Sequence, residues 1–204
     1  MAEFEMTDLE KLSHFLVLEF NQVQKRMLMH QSKYAQEILK RFGMMNCNYA
    51  STPVEPRLKL EKDPEEELYD ATEFRKLIGS LRYLCNSRPD ICFAVSLISR
   101  FMKKPRVSHM QAAKRVLRFV KGTIDSGVLF PFEVESGKLD MFGYTNSNWK
   151  RDPKQKKSTG GYLFMYYDAP VAWSSRKQEV VALSTCEAEY VAASLGACQV
   201  ITAK

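Results

Sequence analysis

The chain has 204 residues, of which 45% are hydrophobic and 26% charged, and its formal net charge is +6. This composition is typical of a folded protein with one or two domains, and it excludes a disordered or fibrous chain. The modest excess of positive charge favours a polyanionic partner such as nucleic acid.

The N-terminus and the cysteines indicate where such a protein would reside. Glu3, Glu5, Asp8 and Glu10 interrupt the apolar core that a signal peptide needs. No run of about 18 apolar residues is present, so neither a membrane span nor a membrane partner is expected. Five scattered cysteines without a Cys-x-x-Cys pair predict reduced thiols and no zinc site. We therefore expect an intracellular protein, in the cytoplasm, the nucleus or both.

The N-terminal quarter predicts a β-hairpin followed by a helix. Alternating apolar residues over 13–30 predict two short strands around Gln24–Arg26. Ser32–Phe42 has one apolar face, and Gly43 occupies the position where a helix end favours a left-handed residue. The stretch 46–70 contains three prolines and a run of acidic residues, which predict an extended connection.

Apolar residues at helical spacing predict three helices over 72–122. Pro89 separates the first helix from the second, and Pro105 ends the second. The third begins with Ser108-x-x-Gln111, a pattern typical of a capping box. The residues predicted to face the core are Phe74, Leu77, Ile78, Leu81 and Leu84, then Ile91, Val95, Ile98 and Met102, then Met110, Ala113, Val116, Leu117 and Val120.

The C-terminal third has the residue period of strands. A loop is predicted at Gly127–Gly137, and Pro170 fits a turn between the last two strands. A final helix is predicted from about Ser184, where Ser184-x-x-Glu187 is another capping-box pattern. The three antiparallel strands are predicted at Lys138–Thr145, Gly160–Tyr167 and Val171–Arg176.

Several stretches resemble, in the same order, the Pol polyproteins of copia-type LTR retrotransposons. They are FEMTDLEKLSHFLVLEF (4–20), QSKYAQEILKRFGM (31–44), FRKLIGSLRYLCNSRPDICFAVSLISRFM (74–102), HMQAAKRVLRFVKGT (109–123), GYTNSNW (143–149), KKSTGGYLF (156–164), VAWSSRKQ (171–178) and ALSTCEAEYVAAS (182–194). The resemblance covers nearly the whole chain. It implies the end of a reverse transcriptase followed by the front half of a ribonuclease H domain.

The expected fold class is α+β, with a palm-derived β-hairpin, a helical thumb/connection-like region, and a truncated RNase H-like antiparallel sheet with its first helix. The resemblance implies a late palm remnant and the start of the thumb at 1–45 and a polar linker at 46–71. The helical region would occupy 72–126, a loop 127–137, and the truncated RNase H-like domain 138–204.

The resemblance also implies the remains of a nuclease site. The family has acidic residues where this chain has Asn146 and Asn148, and the helix glutamate of the site falls on Glu189. Glu187, two residues away, points to a different side of the helix and suits a capping role. In the intact family the cofactor is Mg²⁺, which two-metal nucleases hold with carboxylates. We therefore expect Asn146 to mark the lost first Asp, Glu189 to be a relic, and no metal or cofactor to bind.

The polymerase site is expected to be missing too. Reverse transcriptases carry a paired-Asp motif upstream of the segment that begins here, and this chain has no Asp-Asp dipeptide. Asp140 and Asp152 are the carboxylates that could replace the lost nuclease acids, but one carboxylate binds Mg²⁺ too weakly for a two-metal site. The chain is therefore expected not to be an enzyme, whereas the family activities would be RNA-directed DNA polymerase and ribonuclease H.

Two basic clusters predict a surface for nucleic acid. The stretch 100–121 contains no acidic residue, and Lys114, Arg118 and Lys121 follow helical spacing opposite the apolar face. Without interleaved aromatic residues, we expect weak, sequence-tolerant binding of an RNA–DNA hybrid or other nucleic acid; the alternative is a solvated helix face. The first cluster is Arg100, Lys103, Lys104, Arg106, Lys114, Arg115, Arg118 and Lys121; the second is Lys150, Arg151, Lys154, Lys156 and Lys157.

The sequence is compatible with three hypotheses about function. The first is an inactive remnant with residual affinity for nucleic acid, and the second is an RNase H or polymerase component completed by another chain. Asn146 argues against the second, because a partner that supplied later acids would still leave the first one missing. The third is a protein-interaction or effector-like module, because Arg115-Val116-Leu117-Arg118 matches an RxLR pattern. Self-association through the open edge of the truncated sheet is a further expectation.

Overall fold

In a computed structural model of the protein, the described residues are 13–56, 58, 60, 65–132, 141–150 and 155–202. Within these ranges the chain forms two antiparallel sheets and five α-helices, which confirms the α+β class. No helix in this part of the chain has the length and apolarity needed to cross a membrane. The elements are β1 (His14–Phe15), β2 (Leu18–Val23), β3 (Arg26–His30), α1 (Ser32–Arg41), α2 (Ala71–Leu84), α3 (Pro89–Ile98), α4 (Val107–Gly122), β4 (Val128–Pro131), β5 (Met141–Asn148), β6 (Thr159–Tyr166), β7 (Ala169–Lys177) and α5 (Thr185–Thr202).

The first sheet has the strand order β1-β2-β3-β4. The predicted hairpin is confirmed: β2 and β3 pair up to Val23 and Arg26, and Gln24 in the turn has a φ of 53°. The predicted loop at Gly127–Gly137 is wrong where β4 lies, because Val128 is buried and pairs with Met29 of β3. Residues 133–137 of that loop lie outside the described residues.

The helical core is formed by α1 to α4. Every residue predicted to face inward on α2, α3 and α4 is buried, and Met102 beyond α3 is half-buried against the same core. Asp70 caps α2 by accepting the N–H of Thr72 at 2.7 Å. Gly43, with a φ of 65°, follows α1 in the left-handed region, as predicted. Because a helix is stabilised mainly by its buried apolar face, these periodic residues locate the helices well.

The start of α4 differs from the prediction. The helix begins at Val107, so Ser108 lies inside its first turn and cannot act as the residue before it. The ring of His109 accepts the N–H of Arg106 at 2.9 Å. The Glu66 carboxylate accepts the backbone N–H of Ser108 at 2.5 Å and its hydroxyl at 2.8 Å. The predicted capping box is therefore wrong, because a carboxylate from the preceding connection satisfies these donors instead.

The second sheet has the order β5-β6-β7, and its three strands are antiparallel, as predicted, with residues 138–140 outside the described ranges. Its second turn is Tyr167–Asp168, since Tyr166 pairs with Ala169. The prediction of Pro170 in the turn is wrong: it lies in β7 opposite Met165, next to a bulge. A bulge tolerates proline because the regular ladder of N–H donors is interrupted there.

This second sheet lies between two helices. On one face, Trp173 of β7 donates its indole N–H to the carbonyl oxygen of Cys85, next to α3, at 2.9 Å. On the other face α5 approaches closely: a Cβ added to Gly196 would lie 2.9 Å from Cγ2 of Thr145. Alternate residues of β5 therefore lie on the α5 face of the sheet or on the opposite face.

Candidate functional site

The positions of the lost nuclease acids lie at the end of β5. Asn146 pairs with Gly161 of β6, and Ser147 pairs with Gly160. A Cβ at Gly160 would lie 3.5 Å from the Cβ of Ala192 in α5, so Ser147 and Gly160 face α5. Because side chains alternate along a strand, the Asn146 amide lies on the opposite face of the sheet.

Glu189 lies on α5 and its side chain is exposed. One carboxylate oxygen accepts the backbone N–H of Ser147 at 3.1 Å. The structure therefore places the Glu189 carboxylate next to the residue that follows Asn146. The contact is to the backbone, however, and the Asn146 amide extends from the other side of the strand.

Glu187 takes the capping role predicted for it. Its backbone N–H donates to the hydroxyl oxygen of Ser184 at 3.1 Å, and its carboxylate accepts the N–H of Leu183 at 2.7 Å. The predicted bond from the Glu187 backbone to the Ser184 hydroxyl is thus confirmed. The Glu187 carboxylate was expected to accept the N–H of Ser184, but it accepts the N–H of the preceding residue, Leu183. Glu187 therefore caps the start of α5, whereas Glu189 contacts β5.

A cleft of about 510 Å³ opens on the α3 side of the sheet at this point. Its lining includes the two asparagines, Asn146 and Asn148, the hydroxyl residues Thr159 and Ser175, and the aromatic ring of Phe93. None of the described residues that line it carries a carboxylate. Amide oxygens are neutral, and Mg²⁺ in two-metal sites is held by carboxylates.

The described residues do not fit a two-metal centre. No group of three or more His, Cys, Asp or Glu that could hold a metal ion occurs among them. The Glu189 carboxylate accepts the backbone N–H of Ser147, and the neighbouring position 146 carries a neutral amide. Asp140 and Asp152, the two carboxylates considered as substitutes, lie outside the described residues.

Three basic residues of α4 bind the connection that precedes α2. Arg118 Nε donates at 2.8 Å and Lys121 Nζ at 2.5 Å to carbonyl oxygens of residues 47–48. Arg115 forms an ion pair with Glu55 at 2.9 Å. Sequence reasoning missed these contacts because a backbone carbonyl leaves no signal in the sequence. Phosphate binding by these three side chains would compete with contacts inside the protein.

The other residues of the first basic cluster divide into two groups. Arg100 donates to the hydroxyl oxygen of Thr159 at 2.7 Å, and Arg106 donates to the carbonyl oxygen of Glu66. These bonds attach the arginines to the second sheet and to the connection before α2. The exposed members of the cluster are Lys103, Lys104 and Lys114.

The second basic cluster follows β5. The Nζ of Lys150 lies 3.9 Å from the centroid of the Trp149 ring, a cation–π contact. Lys150 and Lys156 have φ values of 49° and 53°, and Lys156 is exposed, while Lys157 is half-buried. Arg151 and Lys154 lie outside the described residues.

Comparison with known proteins decides the family. The chain is 37% identical over 187 residues, 92% of its length, to the retrovirus-related Pol polyprotein from transposon RE1 of Arabidopsis thaliana. It is 33% identical over 199 residues to the uncharacterized mitochondrial protein AtMg00810 of the same plant, covering 97% of the chain and 81% of that relative. The chain belongs to the copia-type retrotransposon Pol family.

This copia-type Pol chain spans 13% of the length of the RE1 polyprotein. Another relative is the secreted RxLR effector protein 161 of Plasmopara viticola, which is 40% identical over 118 residues, 57% of this chain and 81% of that relative. No protein-family model and no solved structure matches the copia-type Pol chain.

Proposed function

We propose that the chain is a catalytically inactive remnant of the reverse transcriptase and RNase H region of a retrotransposon Pol protein, with residual sequence-independent affinity for nucleic acid. The observation that carries the proposal is the pair of amides, Asn146 and Asn148, at the end of β5. They face a cleft without a described carboxylate, while the Glu189 carboxylate accepts the backbone N–H of Ser147.

Inactivity follows from the chemistry of phosphodiester cleavage. A two-metal nuclease needs negatively charged ligands that bring both ions to the scissile phosphate and activate a water molecule. An amide at Asn146 supplies no negative charge, and the Glu189 carboxylate already accepts a backbone hydrogen bond. Another chain that contributed later acids would still leave the position of Asn146 without its carboxylate.

Affinity for nucleic acid is proposed for the exposed lysines. Lys103, Lys104 and Lys114 lie in or next to the helical region, and Lys150 and Lys156 follow β5. Lysine binds phosphate as a mobile point charge and reads no base sequence, so an RNA–DNA hybrid and other nucleic acids would bind alike. The arginines of α4 are assigned a structural role in holding the connection before α2.

Self-association through the second sheet is part of the same proposal. The eight residues of β5 contain no charge and no proline, and β5 is an edge strand of the described sheet. Met141, Phe142 and Tyr144 on this strand are exposed. Natural edge strands use charges, prolines or bulges against pairing with another chain, and β5 has none of these.

We do not propose an effector-like role for this chain. The name RxLR effector describes the Plasmopara relative. In this chain Arg115-Val116-Leu117-Arg118 lies in the middle of α4 with Val116 and Leu117 buried in the core. The two arginines hold the preceding connection, so helix packing accounts for all four residues.

Replacing Lys103, Lys104 and Lys114 together with alanine tests the proposed surface. We expect the affinity for an RNA–DNA hybrid to fall at least about 10-fold, and the dependence of log affinity on log salt to become shallower by about 3. Fluorescence anisotropy with a labelled hybrid measures both.

A charge-matched control removes three exposed basic residues from α1 and α2, namely Lys40, Arg41 and Lys76. This control variant should retain most of the affinity, because these residues lie outside the proposed surface. An equal loss in the two variants would show that only the net charge matters and would contradict the assignment of the surface.

A further inference from the structure

Among the described strands, β5 is the open edge of the second sheet, and one hydrogen bond shows which of its backbone groups point outward. The Ser147 N–H donates to a carboxylate oxygen of Glu189 at 3.1 Å, so it points away from Gly160, the residue opposite it in β6. In an antiparallel ladder, successive residues alternate between bonding one neighbouring strand and facing the other side. The odd-numbered residues of β5 therefore present their N–H and C=O groups at the open edge.

Glu189 limits the length of this edge. Its carboxylate already occupies the N–H of Ser147, near the carboxyl-terminal end of β5. Another strand would have to displace this carboxylate before it could bond at Ser147. The segment Met141–Thr145 lies ahead of this contact and carries no charged residue, so it is the part of the edge that can pair with another strand.

Two aromatic side chains of this segment lie on the face of the sheet away from α5. Thr145 faces α5, because a Cβ added to Gly196 would lie 2.9 Å from its Cγ2, and Phe142 and Tyr144 are therefore on the other face. Their rings pack edge to face with a centroid distance of 5.7 Å, but Phe142 is 41% exposed and Tyr144 is 60% exposed. A strand that extended the sheet at β5 would cover both rings.

We propose that this strand is β5 of a second copy of the chain, paired antiparallel so that Gly143 lies opposite Gly143 of the second copy. The inference rests on the self-association proposed above and specifies its register. A two-fold axis perpendicular to the sheet relates the two strands, so every contact occurs twice. Phe142 then lies opposite Tyr144 of the second copy in a closely spaced, non-hydrogen-bonded pair, and Met141 and Thr145 exchange backbone hydrogen bonds.

The composition of β5 favours a second copy as the partner. The strand carries no charge, so pairing with itself places no like charges opposite each other. Each Phe142 ring meets a Tyr144 ring of the other copy, which joins the edge-to-face pair of each chain into a single aromatic cluster. Cross-strand aromatic pairs of this kind stabilise antiparallel sheets.

Glu189 sets the register. Moving the axis by one residue, to Tyr144, would place Met141 opposite Ser147 of the second copy, whose N–H is already occupied by Glu189. That register would therefore have to break an existing hydrogen bond at each end of the paired segment. The Glu189 carboxylate thus holds the axis at Gly143.

Cross-linking between introduced cysteines tests the register. Two chains are made, one with Phe142→Cys and one with Tyr144→Cys, each with the exposed Cys186 and Cys198 replaced by serine. In a non-hydrogen-bonded pair the Cα atoms lie about 4.5 Å apart, which a disulfide can span, whereas identical positions would be diagonal neighbours about 7–8 Å apart. Under mild oxidation we expect a disulfide-linked dimer from the mixture of the two chains, and at least about 10-fold less from either chain alone.

Replacing Glu189 with alanine in the Tyr144→Cys chain tests the role of the carboxylate. With the Ser147 N–H free, the register centred on Tyr144 gains a hydrogen-bonded pair at each end, so this chain should cross-link with itself. Glu187→Ala is the control, because Glu187 caps α5 and should leave the cross-linking pattern unchanged. If the Glu189 variant still needed the Phe142→Cys chain as its partner, Glu189 would not set the register.

Sedimentation velocity of the unsubstituted chain separates failure of the register from failure of self-association. We expect a monomer–dimer equilibrium that Tyr144→Lys shifts to monomer, whereas Tyr49→Lys, at an exposed tyrosine outside the sheet, leaves it unchanged. A dimer whose cross-links form from one chain alone would overturn the register and leave self-association standing. A monomer at every concentration would overturn both, while the proposed loss of catalysis and the affinity for nucleic acid would be unaffected.

Discussion

Replacing Arg88 with alanine is expected to lower the free energy of unfolding by roughly 2–4 kcal/mol. The Arg88 side chain is only 3% exposed. Its guanidinium donates to the Thr123 carbonyl at 2.8 Å and to the Thr123 hydroxyl at 2.6 Å, and it lies 5.7 Å from the centroid of the Phe119 ring. The ion pair with Asp90 contributes less, because that carboxylate is 41% exposed. Arg88 therefore joins the start of α3 to the end of α4, and its loss leaves the part-buried carbonyl and hydroxyl of Thr123 without these donors.

Urea denaturation followed by circular dichroism measures this loss. Arg82→Ala is the matched control, because Arg82 is an exposed arginine on α2, and surface substitutions of this kind change stability by less than about 0.5 kcal/mol. If the two variants were equally stable, the buried contacts of Arg88 would not hold the helices together.

The affinity for an RNA–DNA hybrid is expected to fall roughly 100-fold between about 50 mM and about 200 mM salt, as for a surface that neutralises about four phosphates. The exposed lysines Lys103, Lys104, Lys114 and Lys150 provide about that many contacts. Because none of these contacts reads a base edge, a duplex of unrelated sequence should show the same affinity and the same salt dependence.

Titration of labelled hybrid and of a second, unrelated duplex at several salt concentrations measures both quantities. The same titration with the Lys40, Arg41 and Lys76 variant provides the control for net charge. An affinity that does not change with salt, or a strong preference for one sequence, would show that phosphate contacts by lysine do not dominate binding.

The helical core could be predicted from the sequence because its signal is local. Phe74, Leu77 and Leu81 recur at helical spacing on α2, and all three are buried. The strand β4 could not, since it has four residues, too few for a periodic signal, and its partner β3 lies about 100 residues earlier. The Gly127 that precedes it packs so closely on Met29 that a Cβ would collide with the backbone.

The capping patterns could be predicted only where both partners are close in the sequence. Ser184 caps α5 as predicted because its partner is three residues away in the sequence. At the start of α4 the partner of Ser108 is Glu66, which is 42 residues away. A local pattern cannot predict a carboxylate brought in by the tertiary fold, and the bonds of Arg118 and Lys121 to the connection before α2 have the same origin.

At the candidate site, the sequence predicted which residues to inspect but not which way they face. The resemblance singled out Asn146 and Glu189, and the structure places the Glu189 carboxylate 3.1 Å from the backbone nitrogen of Ser147. The pairing of Ser147 with Gly160 determines that the Asn146 amide faces away from α5. Strand register depends on contacts between elements, so the sequence alone left the two faces undetermined.

The most direct test of the proposed loss of catalysis is to incubate the purified chain with a labelled RNA–DNA hybrid and Mg²⁺ and to follow the length of the RNA strand. A Glu189→Gln variant purified in the same way controls for contaminating ribonucleases. We expect the RNA strand to remain intact with both proteins. Cleavage by the unsubstituted chain that disappears in the Glu189→Gln variant would contradict the proposal, because Glu189 would then belong to a working site despite the amide at Asn146.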